Sequence, residues 1–148
     1  PAMIPAGQVS NEAAMNIDLL PTLIKLAGGD LPADRPIDGK DIMPMLSEGA
    51  ESPHEALFLF QNDRIAGVRS GKWKLVLESS YRSVITSFDH ADSYYAPAGL
   101  LFDLQLDPGE TYSYARENPE VVNRLRTHLE QAQQALDTSV LDAMWILP

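Results

Sequence analysis

Basic side chains cluster in a chain that is otherwise acidic. Arg64, Arg69, Lys72, Lys74 and Arg82 fall within 19 residues of one another. Such a cluster could bind an anion through charge-assisted hydrogen bonds. The structural alternative, which we favour, is an amphipathic hairpin whose lysines face solvent, with Arg69 paired to a carboxylate.

A histidine and two tyrosines form a second candidate group. His90 lies between Asp89 and Asp92, and Tyr94 and Tyr95 follow. A histidine can donate a hydrogen bond to an anionic oxygen or act as an acid. Tyrosine can stack on a ring and also donate a hydrogen bond. We therefore predict that His90, Tyr94 and Tyr95 bind a ligand, the alternative being a surface histidine in an acidic loop.

Three carboxylates near the predicted fourth strand could in principle bind a metal ion. Asp103, Asp107 and Glu110 are close in sequence, and hard cations such as calcium prefer oxygen ligands. The Asp-Pro-Gly run among them is an ordinary turn former, and a full ligand set is lacking. We predict a turn and no metal ligand. His54 and His128 have no partner pattern and are predicted to lie on the surface or on a helix face.

Composition excludes several classes of protein. The 148 residues are 45% hydrophobic and 22% charged, a globular mixture. A net charge of −10 argues against nucleic-acid binding and against adhesion to an anionic membrane. The absence of cysteine excludes disulfides, thiolate nucleophiles and cysteine-based zinc sites. No apolar run reaches the roughly 18 residues that a membrane span requires.

The hydrophobic pattern predicts an α+β fold. Four short strands are predicted over 56–61, 64–69, 72–78 and 99–104, and together they form a four-stranded antiparallel sheet. We expect Trp73 to be buried between this sheet and a helix. Residues 79–98 show no period, and a loop of that length is usually functional or disordered.

Two helical regions flank the predicted sheet. Asp18 is predicted to cap a first helix with an apolar stripe, which argues against a free-standing module because it is apolar surface without cover in this chain. The stripe comprises Leu19, Leu20, Leu23, Ile24 and Ala27. Asp41 is predicted to cap a short second helix. After the sheet, Asn118 and Pro119 begin a long amphipathic C-terminal helix of about five turns.

Four segments, in order, resemble the sulfatase family. They are the Asp-Leu-Leu-Pro-Thr-Leu helix at 18–23, the Gly-Lys-Trp-Lys hairpin at 71–74, the Leu-Phe-Asp-Leu strand with its Asp-Pro-Gly-Glu turn at 101–110, and the Pro-Glu-Val-Val helix start at 119–122. The similarity is to the carboxy-terminal third of an arylsulfatase. It implies that residues 1–50 end a larger α/β domain and that residues 51–148 form a small C-terminal α+β domain.

The resemblance also implies a division of labour. The sulfatase nucleophile is a formylglycine made from the Cys or Ser of a C/S-x-P-x-R motif, and no such motif occurs here. The calcium ligands and catalytic residues of the family lie upstream of the matched segment. We therefore predict no catalytic residue and no metal ligand in this chain, and a catalytic sulfatase domain as its partner. The loop carrying His90, Tyr94 and Tyr95 would form the rim that selects the substrate, a sulfate ester such as an aryl or sugar sulfate.

Several alternatives stay open at this point. The parent could be a phosphonate or phosphate ester hydrolase of the same superfamily, or the chain could be a non-enzymatic acidic binding module. The chain starts without methionine or a signal-like segment, so we expect a piece of a longer protein. A periplasmic or extracellular location is compatible with the family. Exposed apolar surface would also allow an oligomer.

Overall fold

The computed structural model describes residues 3–61, 64–77 and 99–144. The chain divides into two compact units, Pro1–Leu57 and Phe58–Pro148. The described part has the predicted α+β composition: in sequence order, helices come before the four strands and one long helix follows them. No helix in that part combines the length and the apolar character needed to cross a membrane.

The first unit contains three short helical segments. A 3₁₀ turn, Asn16–Asp18, leads directly into α1, Leu19–Leu26, and α2 follows at Met43–Glu48. The N-cap residue of α2 is Ile42, which makes no side-chain capping bond, so the cap predicted at Asp41 lies one residue too early. Oδ1 of Asp41 nevertheless accepts the backbone N–H of Met43, the first residue of α2, at 2.9 Å. Gly49 ends α2 with a left-handed φ of 70°, a conformation that glycine adopts without steric cost.

The leucines of the apolar stripe on α1 are exposed. Pro21 and Thr22 are the buried residues of the helix, whereas Leu19, Leu20 and Leu23 of the stripe are more than half exposed, and the neighbouring Leu26 is 50% exposed. Asp18 makes no side-chain capping bond to α1 and is instead completely buried. The predicted cap by Asp18 is therefore wrong. Hydrogen bonds of Asp18 and Thr22, which hydrophobic periodicity does not register, set the rotation of the helix.

The second unit contains the predicted four-stranded sheet. Its strand order is β1-β2-β3-β4, and the strands span Leu57–Gln61, Arg64–Ser70, Trp73–Val76 and Leu100–Asp103. β2 pairs antiparallel with β3, and β3 pairs antiparallel with β4. The long C-terminal helix, α3, spans Pro119–Met144 and packs against β2 and β3.

A row of side chains across three strands forms the centre of this unit. Val68 lies opposite Leu75, and Leu75 lies opposite Leu101. All three residues are completely buried, as is Leu125 of α3. Burial of one aliphatic side chain contributes about 1.5–3 kcal/mol, so this row is a main source of stability for the unit.

Trp73 is less buried than predicted. Leu75 is buried as expected, but Trp73 at the start of β3 is only half-buried and Leu77 is 38% exposed. The Trp73 ring meets the ring of Tyr114 edge to face, with centroids 6.3 Å apart. The alternation of β3 therefore holds, but its apolar face is deeply buried only at the middle of the strand.

β4 is an edge strand that the following segment covers. Its four residues are all buried. The N–H of Tyr114 donates to the carbonyl of Leu101 at 2.8 Å, and the N–H of Leu101 donates to Oγ of Ser113 at 3.2 Å. These bonds satisfy backbone groups that an open edge would expose to other chains.

Candidate functional site

The predicted binding residues His90, Tyr94 and Tyr95 lie outside the described residues, as does Arg82. The strands on either side are described. Val76, near the end of β3, lies opposite Leu100 at the start of β4. Gly99 has a φ of +84°, and a Cβ placed there would lie 2.8 Å from the carbonyl oxygen of Val76. The sheet therefore places Leu77 and Gly99 side by side and requires glycine at the second of them.

Lys72 of the predicted basic cluster forms an ion pair. Its Nζ lies 2.6 Å from Oδ2 of Asp103, whose side chain is 1% exposed. Oδ1 of Asp103 accepts the N–H groups of Gln105 and Leu106. Burial by itself would raise the pKa of Asp103, but the hydrogen bonds from Lys72 and the two backbone groups lower it below its usual value. Lys72 also lies over the Trp73 ring, 4.6 Å from the centroid.

Lys74 and Arg69 of the hairpin also have protein partners. Nζ of Lys74 lies 2.6 Å from Oε1 of Glu110. We expected the Arg69 side chain to pair with a carboxylate. Its Nε donates to the carbonyl oxygen of Gly71, so its partners include a main-chain acceptor. Lys72, directly before β3, is thus paired with the end of β4, and Lys74 of β3 is paired with the turn after β4. Both lysines are engaged by carboxylates of the chain, whereas the sequence predicted that they face solvent.

The Asp-Pro-Gly-Glu segment is a turn, as predicted. Asp107 accepts the N–H groups of Thr111 and Tyr112 and the hydroxyl of Thr111. Glu110 has a φ of 55°, an unusual value for a residue with a side chain. The carboxylates of Asp103, Asp107 and Glu110 are each engaged by protein donors. Among the described ranges, no group of three or more His, Asp or Glu residues suits a metal ion.

A buried Asp–His pair lies in the first unit, and sequence reasoning missed it. Nε2 of His54 lies 2.7 Å from Oδ1 of Asp18, and the two side chains are 5% and 0% exposed. His54 was predicted to lie on the surface or on a helix face; that prediction was wrong, because its side chain is buried and the residue is in no helix. Two backbone N–H groups, from Met15 and Lys40, complete the hydrogen bonding of the Asp18 carboxylate at 2.8 Å each.

The environment of Asp18 keeps its carboxyl group ionised. Burial would raise the pKa of Asp18, but the backbone bonds from Lys40 and Met15 and the bond from His54 lower it below its usual value. The pair joins three stretches of chain that are far apart in sequence, around residues 15–18, at Lys40 and at His54. One sequence signal could have pointed to the pair: Asp18 is a charged residue directly before an apolar helix, a place where an aspartate is expected to have a specific hydrogen-bond partner.

Ser52 lies near His54 and invites comparison with a hydrolytic triad. Its hydroxyl donates to the carbonyl of Ala13 at 2.6 Å and accepts the backbone N–H of His54 at 3.2 Å. A nucleophilic serine needs its hydroxyl on the base, and here the hydroxyl proton goes to a main-chain oxygen. Asp18, His54 and Ser52 therefore hold the chain in place and are not arranged for acyl transfer.

Thr22 extends the same network to the segment directly before α2. Its hydroxyl donates to the carbonyl of Asp18 at 2.6 Å and accepts the N–H of Ile42 at 3.0 Å. A salt bridge of 2.9 Å between Lys25 and Asp41 lies on the same side of α1. Polar contacts thus attach α1 to the segment before α2 and leave its leucines outward.

The chain matches a known family over most of its length. A family model described as the C-terminal region of aryl-sulfatase matches residues 52–146. Arylsulfatase A of Homo sapiens is 37% identical, over 89% of this chain and 29% of the relative. Steryl-sulfatase of Homo sapiens is 35% identical, over 74% of this chain and 22% of the relative. The chain thus spans under a third of the length of these relatives.

Solved structures share the fold. The PsFucS1 sulfatase from Pseudoalteromonas sp. superposes with a TM-score of 0.70 at 21% identity, over 90% of this chain and 28% of that one. Ps i-CgsB superposes with a TM-score of 0.64 at 20% identity, over 88% and 26%. The resemblance predicted from the sequence motifs is confirmed. The chain belongs to the sulfatase family, and it corresponds to the C-terminal region of aryl-sulfatase.

Proposed function

We propose that this chain serves as the C-terminal structural region of an enzyme that hydrolyses sulfate esters. The observation that carries the proposal is the family match over residues 52–146, together with the 37% identity to arylsulfatase A. Aryl or sugar sulfates are the substrate class we propose. The chain spans 29% of that relative, so the reaction itself is assigned to the part of the enzyme that this sequence does not include.

The chemistry of the donor groups supports this division. Formylglycine needs a Cys or Ser in a C/S-x-P-x-R motif, and the sequence has neither a cysteine nor that serine motif. Calcium needs several available oxygen ligands, whereas Asp103, Asp107 and Glu110 are engaged by protein donors. These residues do not fit either group. We assign calcium and formylglycine to the catalytic domain and derive no step through them here.

We further propose that residues 1–50 end the large α/β domain and that 51–148 form the small C-terminal domain. The family match from residue 52 and the division into compact units near Leu57 support a boundary in this region. His90, Tyr94 and Tyr95 are proposed to contribute to the rim that selects the substrate. Their support is their residue types and the fixed positions of Leu77 and Gly99 on the sheet.

The test is a pair of activity measurements on a chromogenic aryl sulfate. The purified chain alone should show no turnover, because it has no nucleophile for the reaction. A chimera in which this chain replaces the matched C-terminal segment of human arylsulfatase A should hydrolyse the substrate. Turnover by the isolated chain that a substitution in it abolishes would contradict the proposal, as would a folded chimera without activity.

A further inference from the structure

Arg64, the first residue of β2, is exposed to solvent. Among the residues that the structure describes, none forms a hydrogen bond or an ion pair with its side chain, whereas the other described basic residues of the hairpin are engaged: Arg69, Lys72 and Lys74. A guanidinium carries five N–H donors in a planar fork and binds carboxylates and tetrahedral oxyanions through two parallel hydrogen bonds. The donors of Arg64 are therefore available to an anion from outside the chain.

The register of the sheet places Arg64 at one particular end. The N–H of Leu77 donates to the carbonyl of Ala66 at 2.9 Å, so these two residues lie side by side and face the same way. Arg64 comes two residues before Ala66, which puts it about 7 Å further along β2. Strand residues two apart share a face, so Arg64 lies on the same face as Leu77. This is the end of the sheet at which Leu77 and Gly99 lie side by side.

The carboxylates that hold the lysines belong to the opposite end of the strands. Asp103, which pairs with Lys72, lies opposite Trp73, where β3 begins and β4 ends. The chain has a net charge of −10 and repels anions at long range, so an anionic ligand needs a local cation to bind here. Arg64 supplies that cation at an end of the sheet where no described carboxylate engages it.

An exposed aromatic ring lies at the same end of the sheet. Phe60 is 56% exposed and is the next-to-last residue of β1. β1 and β2 are neighbours in the sheet, and only residues 62–63 separate them in sequence, so they run antiparallel and Phe60 lies at the end where Arg64 begins β2. Aromatic side chains offer a large apolar face to another ring. A ligand that contains both a ring and an anionic group therefore fits this end of the sheet.

We propose that Arg64 is a specificity-determining residue that binds a second anionic group, a sulfate or a carboxylate, on the sulfate ester that the enzyme hydrolyses. The inference rests on the proposed function, which puts the substrate rim at the end of the sheet where Leu77 and Gly99 lie. The ester sulfate that is cleaved is bound by the catalytic domain, so the anion on Arg64 is a different group of the same substrate, and Phe60 contacts its ring. The substrate class is thereby narrowed to aryl or sugar sulfates that carry a second negative group.

The experiment measures binding by calorimetry to the arylsulfatase A chimera, with its formylglycine precursor residue replaced by alanine so that the probes are not hydrolysed. The probes are N-acetylglucosamine with one sulfate on its primary hydroxyl, the same sugar with a second sulfate, and glucuronic acid with one sulfate. The test variant is Arg64→Gln, and Arg64→Lys keeps the charge without the planar fork. The control is Arg124→Gln, which removes the same charge from an exposed residue of α3.

We expect Arg64→Gln to weaken the binding of at least one of the two doubly anionic probes about tenfold. The probe that loses affinity identifies the second group as a sulfate or a carboxylate. The sugar with a single sulfate should change by less than about twofold, and Arg124→Gln should leave all three probes within that range. Arg64→Lys should recover only part of the loss, because an ammonium group does not form the two parallel bonds.

Three outcomes would overturn the inference: no loss on any probe, an equal loss on all three, or the same loss with Arg124→Gln. The last two would mean that Arg64 attracts anions only through its charge. Turnover of an aryl sulfate by the unmodified chimera tests the proposed function separately. An inactive chimera whose binding still depends on Arg64 contradicts the proposed function alone, an active one that is indifferent to Arg64→Gln contradicts this inference alone, and a chimera that does not fold contradicts both.

Discussion

Nε2 of His54 lies 2.7 Å from Oδ1 of Asp18, and the two side chains are almost completely withdrawn from solvent. The carboxylate also accepts two backbone N–H groups, from Met15 and Lys40. A buried pair of this kind stabilises the fold because it satisfies the hydrogen-bonding groups around it. Removing one member leaves its partners without a hydrogen bond in a site that water does not reach.

Asp18→Ala is expected to lower the free energy of unfolding by about 3 kcal/mol, since it leaves two buried N–H groups and His54 without their acceptor. His54→Ala should cost less, about 1–2 kcal/mol. Urea unfolding of the purified chain gives both values. Asp34→Ala is the control, because Asp34 pairs with Arg35 at the surface, and it should leave the midpoint unchanged. Equal midpoints for Asp18→Ala and Asp34→Ala would show that the buried pair contributes nothing.

Acid should destabilise the protein through Asp18 and Asp103. Burial raises the pKa of each carboxyl group, but the hydrogen bonds together lower it by more. The pKa values of both groups in the folded protein therefore lie below the ordinary value of 3.8. The unfolded chain then binds more protons near that pH, and stability is lost as pH falls through the folded pKa. Thermal midpoints should be steady above about pH 5 and fall below about pH 4. Asp103→Asn should make that fall shallower; an unchanged slope would contradict the assignment.

The two lysine pairs of the hairpin should differ in strength. Lys72 pairs with a carboxylate that is 1% exposed, whereas the Lys74 and Glu110 side chains are 21% and 31% exposed. Double-mutant cycles to alanine should give a coupling of about 2 kcal/mol for Lys72 with Asp103. They should give about 0.5 kcal/mol for Lys74 with Glu110. A larger coupling in the second pair would mean that exposure does not control these interactions.

The centre of the sheet should be far more sensitive than its ends. Leu75→Ala removes a completely buried side chain and should cost about 3 kcal/mol. Trp73→Ala should cost less, because Trp73 is half-buried. Leu106→Ala is the matched control at a residue that is 73% exposed, with an expected change within about 0.5 kcal/mol. If all three variants unfold at the same denaturant concentration, the buried row does not define the core.

The proposed rim is tested by kinetics. His90→Ala together with Tyr94→Ala in the arylsulfatase A chimera should raise KM or shift the preference among sulfate esters. The kcat for a small activated aryl sulfate should fall less than about tenfold, since the reacting groups belong to the catalytic domain. Unchanged kinetics on every substrate would remove these residues from the rim. A fall of about a thousandfold on the small substrate would instead place a catalytic group among them.

Sequence periodicity was reliable for the sheet and for α3. The alternation around Leu75 and the three-and-four spacing of Val121, Val122, Leu125 and Leu129 predicted elements that the structure contains. The strand boundaries are displaced by a residue or two, and α3, at 26 residues, is longer than the predicted helix of about five turns. These patterns are local, and each repeats several times within one element. The motifs at 71–74, 101–110 and 119–122 likewise predicted the family, which needs only the order of short segments along the chain.

The tertiary structure decided which polar groups meet. Asp18 and His54 are 36 residues apart, and Lys72 and Asp103 are 31 apart. No periodic signal links such positions, since a single hydrogen bond fixes a distance and an angle without repeating along the chain. The same contacts decided the rotation of α1. The spacing of its leucines established that they share one face. Which way that face turns was decided by the buried bonds of Asp18 and Thr22, because a hydrogen bond constrains distance and angle and an ionised buried carboxylate must keep its partners.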